Sequence, residues 1–111
     1  MDPFLVFEDE RVRVSATLVE HAPVFPAFGF RFDTANGSVV FSGDTTVSSN
    51  LIRLAQGADI LVHEVINVDV LEGLVPPEII AHLLEAHTNV DEVGAVAEAA
   101  GVSTLVLNHL V

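Results

Sequence analysis

Two styles of strand-forming segment occur in this chain, and their order limits the fold more than any other feature of the sequence. Val12, Val14, Ala16 and Leu18 alternate with Arg13, Ser15 and Thr17, the period of two of a strand with one buried face. Phe28, Phe30 and Phe32 alternate with Gly29 and Arg31 in the same way. Asn36-Gly37 lies between that run and a third strand, Ser38 to Phe41, which predicts a type I′ hairpin. Further on, the alternation stops. "DILVHE" and "STLVLNHL" are solid apolar runs, suited to strands buried on both faces. Hairpins come first and β-α-β units later, so the expected class is α/β or α+β with a mixed sheet.

About three helices are expected between these strands. Ser49 or Asn50 is placed to cap one carrying Leu51, Ile52 and Leu54, with Gly57 closing it. "PPEIIAHLLEA" opens on prolines that suit a helix start, and Ile79, Ile80, Leu83 and Leu84 form an apolar stripe. Asn89 with Glu92 makes a capping box for a helix bearing Val90, Val93, Val96, Ala97 and Ala100, which Gly101 ends. "EHAPVFP" reads as a loop opening on His21.

At 111 residues the chain is one domain at most. Half of it is hydrophobic and only 18% is charged, against about 25% in typical domains. A small domain buries a smaller fraction of its surface than a large one, so this one is short of interior for its apolar residues. It is expected to self-associate or to belong to a larger fold. The net charge of −12 opposes binding to a phosphate backbone, where Lys and Arg supply most of the affinity. There are no cysteines, hence no disulfides and no thiolate metal ligands. No run reaches the roughly 18 apolar residues of a membrane span, and "MDPFLVFEDERV" lacks a basic leader region. The expectation is a soluble, cytoplasmic chain without membrane contact.

His21, Asp44 and His109 each fall at or just beyond the end of an expected strand. If those ends converge, two imidazoles and a carboxylate meet, a donor set suited to zinc or a similar divalent metal. Each also has a plainer reading: a loop histidine, an aspartate starting a turn through its side chain, and a core histidine.

"VVFSGDT", then "LAQGADILVHE", then "HTNVDEVGAVAEAAGVSTLVLNHL" resemble the C-terminal half of a metallo-β-lactamase-fold hydrolase, in the ribonuclease Z and arylsulfatase-like branch. "VEHAPVFPAFGFRF" is similar to that branch's segment in which a metal-binding histidine precedes a Gly-aromatic-Arg strand. The resemblance covers nearly all of the chain from Val12 onward. It implies half of an αββα sandwich, with His21 a ligand of a first metal, Asp44 a carboxylate bridging two metals and His109 a ligand of the second. Two ions sharing a carboxylate lower the pKa of a bridging water toward neutrality, and the resulting hydroxide attacks an ester, sulfate ester or phosphodiester. Gly43 would permit close approach and Thr45 would support the carboxylate. His87 in "HTN" stands where relatives carry a non-ligand histidine acting on the scissile group or leaving oxygen; its plainer reading is a helix-start residue. Glu64 either orients that histidine or is a solvated acid at a strand end. His63 is expected to be structural and His82 to sit on a helix surface.

The family's His-x-His-x-Asp-His segment is absent from these residues. The expectation is therefore a C-terminal half-domain, 1–111, inactive or nearly so alone, holding one zinc ion weakly or none where the complete protein holds one or two. An apolar face should associate with the missing N-terminal half or with a second copy. Transfer-RNA-processing members carry a long insertion between the His21-like and Asp44-like motifs, whereas about two dozen residues separate them here. Transfer RNA is thus not expected as substrate, and a small ester-type molecule is. The rival expectation is a non-catalytic dimerising module with a relic metal site.

Overall fold

The computed structural model describes residues 1–108. Six strands form one sheet in chain order: β1 (Phe4–Glu8), β2 (Val12–Leu18), β3 (Phe28–Thr34), β4 (Gly37–Phe41), β5 (Ile60–Glu64) and β6 (Thr104–Asn108). The first four are antiparallel, and β4, β5 and β6 are parallel. The change from alternating to solid runs in the sequence is thus the change from antiparallel to parallel pairing. Helix α1 (Ser49–Leu54) crosses from β4 to β5, while α2 (Val68–Leu71), α3 (Pro77–Ala86) and α4 (Val90–Ala100) lie between β5 and β6.

Four helices replace the three expected, the addition being the four-residue α2, and β1 was not foreseen. The hairpin is present, but its loop is Ala35-Asn36, because Thr34 and Gly37 are themselves paired across it. Gly37 opens β4 at φ +145, and a β-carbon there would fall 2.8 Å from Asp59 Oδ2. Asp59 needs that space, since its carboxylate accepts the amide of Ser38 at 2.8 Å.

Helix α1 is capped one residue earlier than expected, by Ser48, whose hydroxyl accepts from the amide of Leu51 at 3.2 Å. Asn89 is the N-cap of α4, yet its side chain makes no capping bond. Its amide group is committed elsewhere: Oδ1 accepts from Val68 N, and Nδ2 donates to Asp91. Gly101 ends α4 in the left-handed conformation, as foreseen.

Val40 of β4 and Leu61 of β5 are paired and fully buried, facing Leu51, Leu54, Val96 and Ala100 of α1 and α4. Each buried leucine contributes roughly 1.5–3 kcal/mol over an exposed one. Arg31 lies on this same face. It donates to the carbonyls of Leu54 and Gln56 at 2.8 and 2.9 Å, satisfying acceptors that the end of α1 leaves open.

The opposite face has no helix layer among the described residues. The register places Phe4, Ala16, Phe30, Phe41, Val62 and Val106 in one row across all six strands. With Phe7, Phe28 and Phe32 on the same side, six of the seven phenylalanines share this face. Phe30 and Phe41 are each more than a third exposed. The stripe of α3 is also poorly covered, with only Ala86 buried.

Candidate metal centre

β4 ends at Phe41, and the chain turns through Ser42-Gly43 to Asp44. Gly43 sits at φ +63, and a β-carbon there would lie 2.8 Å from the carbonyl of Phe28, so only glycine lets the turn press against β3. The hydroxyl of Ser42 accepts the amide of Glu64, tying this turn to the end of β5. The loop after β2 brings His21 to the same end of the sheet, where its Nε2 is 3.9 Å from Asp44 Oδ2. His87, immediately after α3, completes the group: its ring stands edge-on to that of His21, with centroids 5.2 Å apart. One donor atom from each of His21, Asp44 and His87 lies within 4.8 Å of the others. Two imidazoles and a carboxylate at this separation are chemically suited to a divalent cation.

Behind this trio lies a buried carboxylate. Glu64 is 1% exposed, so the solvated strand-end alternative does not describe it. Oε1 accepts from His87 Nδ1 at 2.8 Å and from the amide of Thr45 at 2.8 Å; Oε2 accepts from the amide of Thr88 at 3.2 Å. A carboxylate removed from water is costly unless its lone pairs are filled, and three donors fill them here. With Nδ1 donating to Glu64, the orientation of the His87 ring is fixed and its Nε2 is turned away from that carboxylate.

Sequence reasoning brought His21, Asp44, His87 and Glu64 forward, and the structure gathers all four. His109 lies outside the described residues. His63 points to the helix side of β5, completely buried, with Nδ1 2.7 Å from the carbonyl of Glu64 and Nε2 without a hydrogen-bond partner among the described residues. Burial pushes its pKa down from the ordinary 6.5. His82 is on the exposed side of α3, near Glu85. Thr45 acts differently from the support anticipated for Asp44: its amide holds Glu64, and its hydroxyl bonds the backbone of Glu20 and Thr46. Thr88, fully buried beside His87, was not singled out. Its one visible signal is its position directly after that histidine.

Residues 2–110 match the family described as Beta-lactamase superfamily domain. The chain belongs to that family. Among curated proteins it is 42% identical over 100 residues to a ribonuclease Z of Mycobacterium tuberculosis strain H37Rv, covering 90% of this chain and 36% of the relative. It is 40% identical over 105 residues to a ribonuclease Z of Mycobacterium sp. strain KMS, covering 95% and 36%. The chain therefore spans little more than a third of the length of these relatives. Human tRNase Z, short form, has the same fold over 97% of this chain and 39% of its own, at a TM-score of 0.75 and 24% identity. The metallo-β-lactamase fold protein YhfI from Bacillus subtilis matches at a TM-score of 0.71 and 22% identity, over 96% and 40%. The mixed sheet with α1 and α4 packed on one side is thus part of a metallo-β-lactamase fold.

Proposed function

We propose that this chain is the C-terminal part of a zinc-dependent hydrolase and carries its share of the metal site. The observation that supports this most is the convergence of His21 and Asp44 on one point, with His87 facing it and held by buried Glu64. In this reading His21 and Asp44 hold the ion, joined by His109 in the complete protein, and His87 handles a proton at Nε2 for the leaving group. A bound divalent ion would supply a water of lowered pKa. Glu64 holds the His87 ring in place through Nδ1, the fixed orientation that a proton-handling imidazole needs. The substrate we assign is a small ester, sulfate ester or phosphodiester. Transfer RNA is disfavoured by the net charge of −12 and by the occupation of two of the four arginines: Arg31 is engaged with Asp33 and carbonyls, and Arg53 with Asp2.

The phenylalanine face is where we place the remaining part of the protein. Two rows of side chains cross all six strands on this face, about 24 Å from edge to edge, a size in the range of the largest apolar patches on monomers. A facing sheet at about 10 Å would cover it. A second copy is the less favourable occupant, since pairing two chains of −12 brings like charges together. No helix among the described residues is long and apolar enough to cross a membrane, and we place the protein in the cytoplasm.

Titration with zinc chloride tests the metal reading. The expected outcome is zinc binding lost in His21→Ala and Asp44→Ala and kept in His87→Ala. Absence of binding in the unmodified chain, or equal binding in all variants, would overturn it. Mixing with the portion of a mycobacterial relative outside the matched segment tests the partner. A one-to-one complex is expected, whereas a stable homodimer that refuses that portion would favour the non-catalytic dimerising module.

A further inference from the structure

Each residue of the candidate trio has a chain neighbour in a single hydrogen-bonded ring. Glu20 precedes His21, Thr45 follows Asp44 and Thr88 follows His87. The hydroxyl of Thr45 accepts the amide of Glu20 at 3.0 Å, with the carbonyls of Glu20 and Thr46 at 3.1 and 2.7 Å as its acceptors. The amide of Thr46 returns a bond to Glu20 O at 2.8 Å. The hydroxyl of Thr88 donates to Thr45 O at 2.7 Å, and the amides of Thr45 and Thr88 both donate to Glu64, which holds His87. Thr45 and Thr88 are completely buried.

We propose that Thr45 is a positioning residue: one threonine locks the His21 loop, the Asp44 turn and the Glu64–His87 pair into register, so that the metal donors are assembled before any ion arrives. Thr45 is the only residue of the ring that bonds directly to Glu20, Glu64 and Thr88 among the described residues. Its bonds to Glu64 and Thr88 run through its backbone, so every side chain that keeps the fold keeps them. Its link to Glu20 runs through the hydroxyl alone, which bonds both the amide and the carbonyl of Glu20, and a hydroxyl can be removed cleanly. Removing it leaves the amide of Glu20 without its Thr45 acceptor, and the loop carrying His21 keeps the Thr46 amide bond to Glu20 O as its tie to the Asp44 turn. Groups that orient metal ligands in this indirect way are worth about 10- to 100-fold in metal affinity.

The inference rests on the metal-site reading above, and its test separates the two. Thr45→Val removes the hydroxyl at nearly constant volume, and Thr45→Ser restores it. Thr17→Val is the matched control, because Thr17 is equally buried in the same sheet and its hydroxyl has no partner among the described residues. Zinc chloride titration should show affinity reduced about 10- to 100-fold in Thr45→Val, largely recovered in Thr45→Ser and unchanged in Thr17→Val. Amide hydrogen exchange on the metal-free chain is the second readout: Thr45→Val should lose protection at Glu20 while the β3–β4 ladder keeps it. Unchanged zinc affinity in Thr45→Val would overturn the positioning role, even if the variant melts earlier. If the unmodified chain takes no zinc, the metal reading fails, and exchange at Glu20 alone decides the lock: lost protection supports it, and retained protection overturns it.

Discussion

Glu64 Oε1 lies 2.8 Å from His87 Nδ1, and the carboxylate is buried while the imidazole reaches the surface of the site. The pair therefore has a dry end and a wet end, which defines what each partner does. Replacing Glu64 with Gln keeps the shape but supplies a neutral acceptor to two backbone amides and one ring. The expected loss is about 1.5–3 kcal/mol of stability, the range for hydrogen bonds to a charged group. Urea unfolding of Glu64→Gln checks it, with His87→Ala expected to cost less because the Thr45 and Thr88 amides remain bonded.

Gly37 and Gly57 make a matched pair for backbone strain. Both have positive φ, but a β-carbon on Gly57 meets nothing within 4 Å, whereas one on Gly37 collides with Asp59 Oδ2. Gly57→Ala should cost about 1 kcal/mol, the penalty of a left-handed alanine. Gly37→Ala should cost more, roughly 2 kcal/mol or above, because the carboxylate that caps Ser38 must also move. Thermal melts of the two variants give the comparison.

His63 sets a direction for pH dependence. Its pKa is lowered by burial from 6.5, so the unfolded chain binds a proton there more readily than the folded one. Stability from this group is complete above the unfolded value and declines as pH falls below it, until the folded value is reached. His63→Leu should flatten that decline. Urea midpoints at pH 7.5, 6.5 and 5.5 measure the difference between variant and unmodified chain.

Arg31 bonds Asp33 through Nε and two carbonyls at the end of α1 through Nη1. Lysine carries the charge but not the fork, so Arg31→Lys should lose roughly 1–3 kcal/mol. Chemical denaturation reports it.

Much of this arrangement was legible in the chain, for a local reason. Alternation at Val12–Leu18 and Phe28–Phe32 and solid runs at Ile60–Glu64 each report how many faces of a strand are covered, which is all that pairing style requires. β1 was hidden because "FLVF" is a four-residue apolar run whose residues are all exposed, leaving no alternation to read. α2 spans four residues, barely one helical turn, too short to show a period. The hairpin loop shifted by one residue because Gly37 is needed inside β4, beside Asp59, and not in the turn. Glu64 was the harder case. Its three donors come from residues 19, 23 and 24 positions away, and nothing near "ILVHE" distinguishes a carboxylate that will be enclosed from one left in water.

Asp44 stands at the seam between the antiparallel and parallel halves of the sheet, and that position has a consequence in time. The β2–β3 and β3–β4 hairpins join neighbours in the chain and can form early, whereas the parallel pairings must wait for long crossovers to close. The ring around Thr45 closes spans of 19 to 43 residues across that seam. A chain halted midway would own a sheet and no means of gripping an ion, so on the proposed metal reading zinc uptake during refolding would be a clock for the last step of assembly.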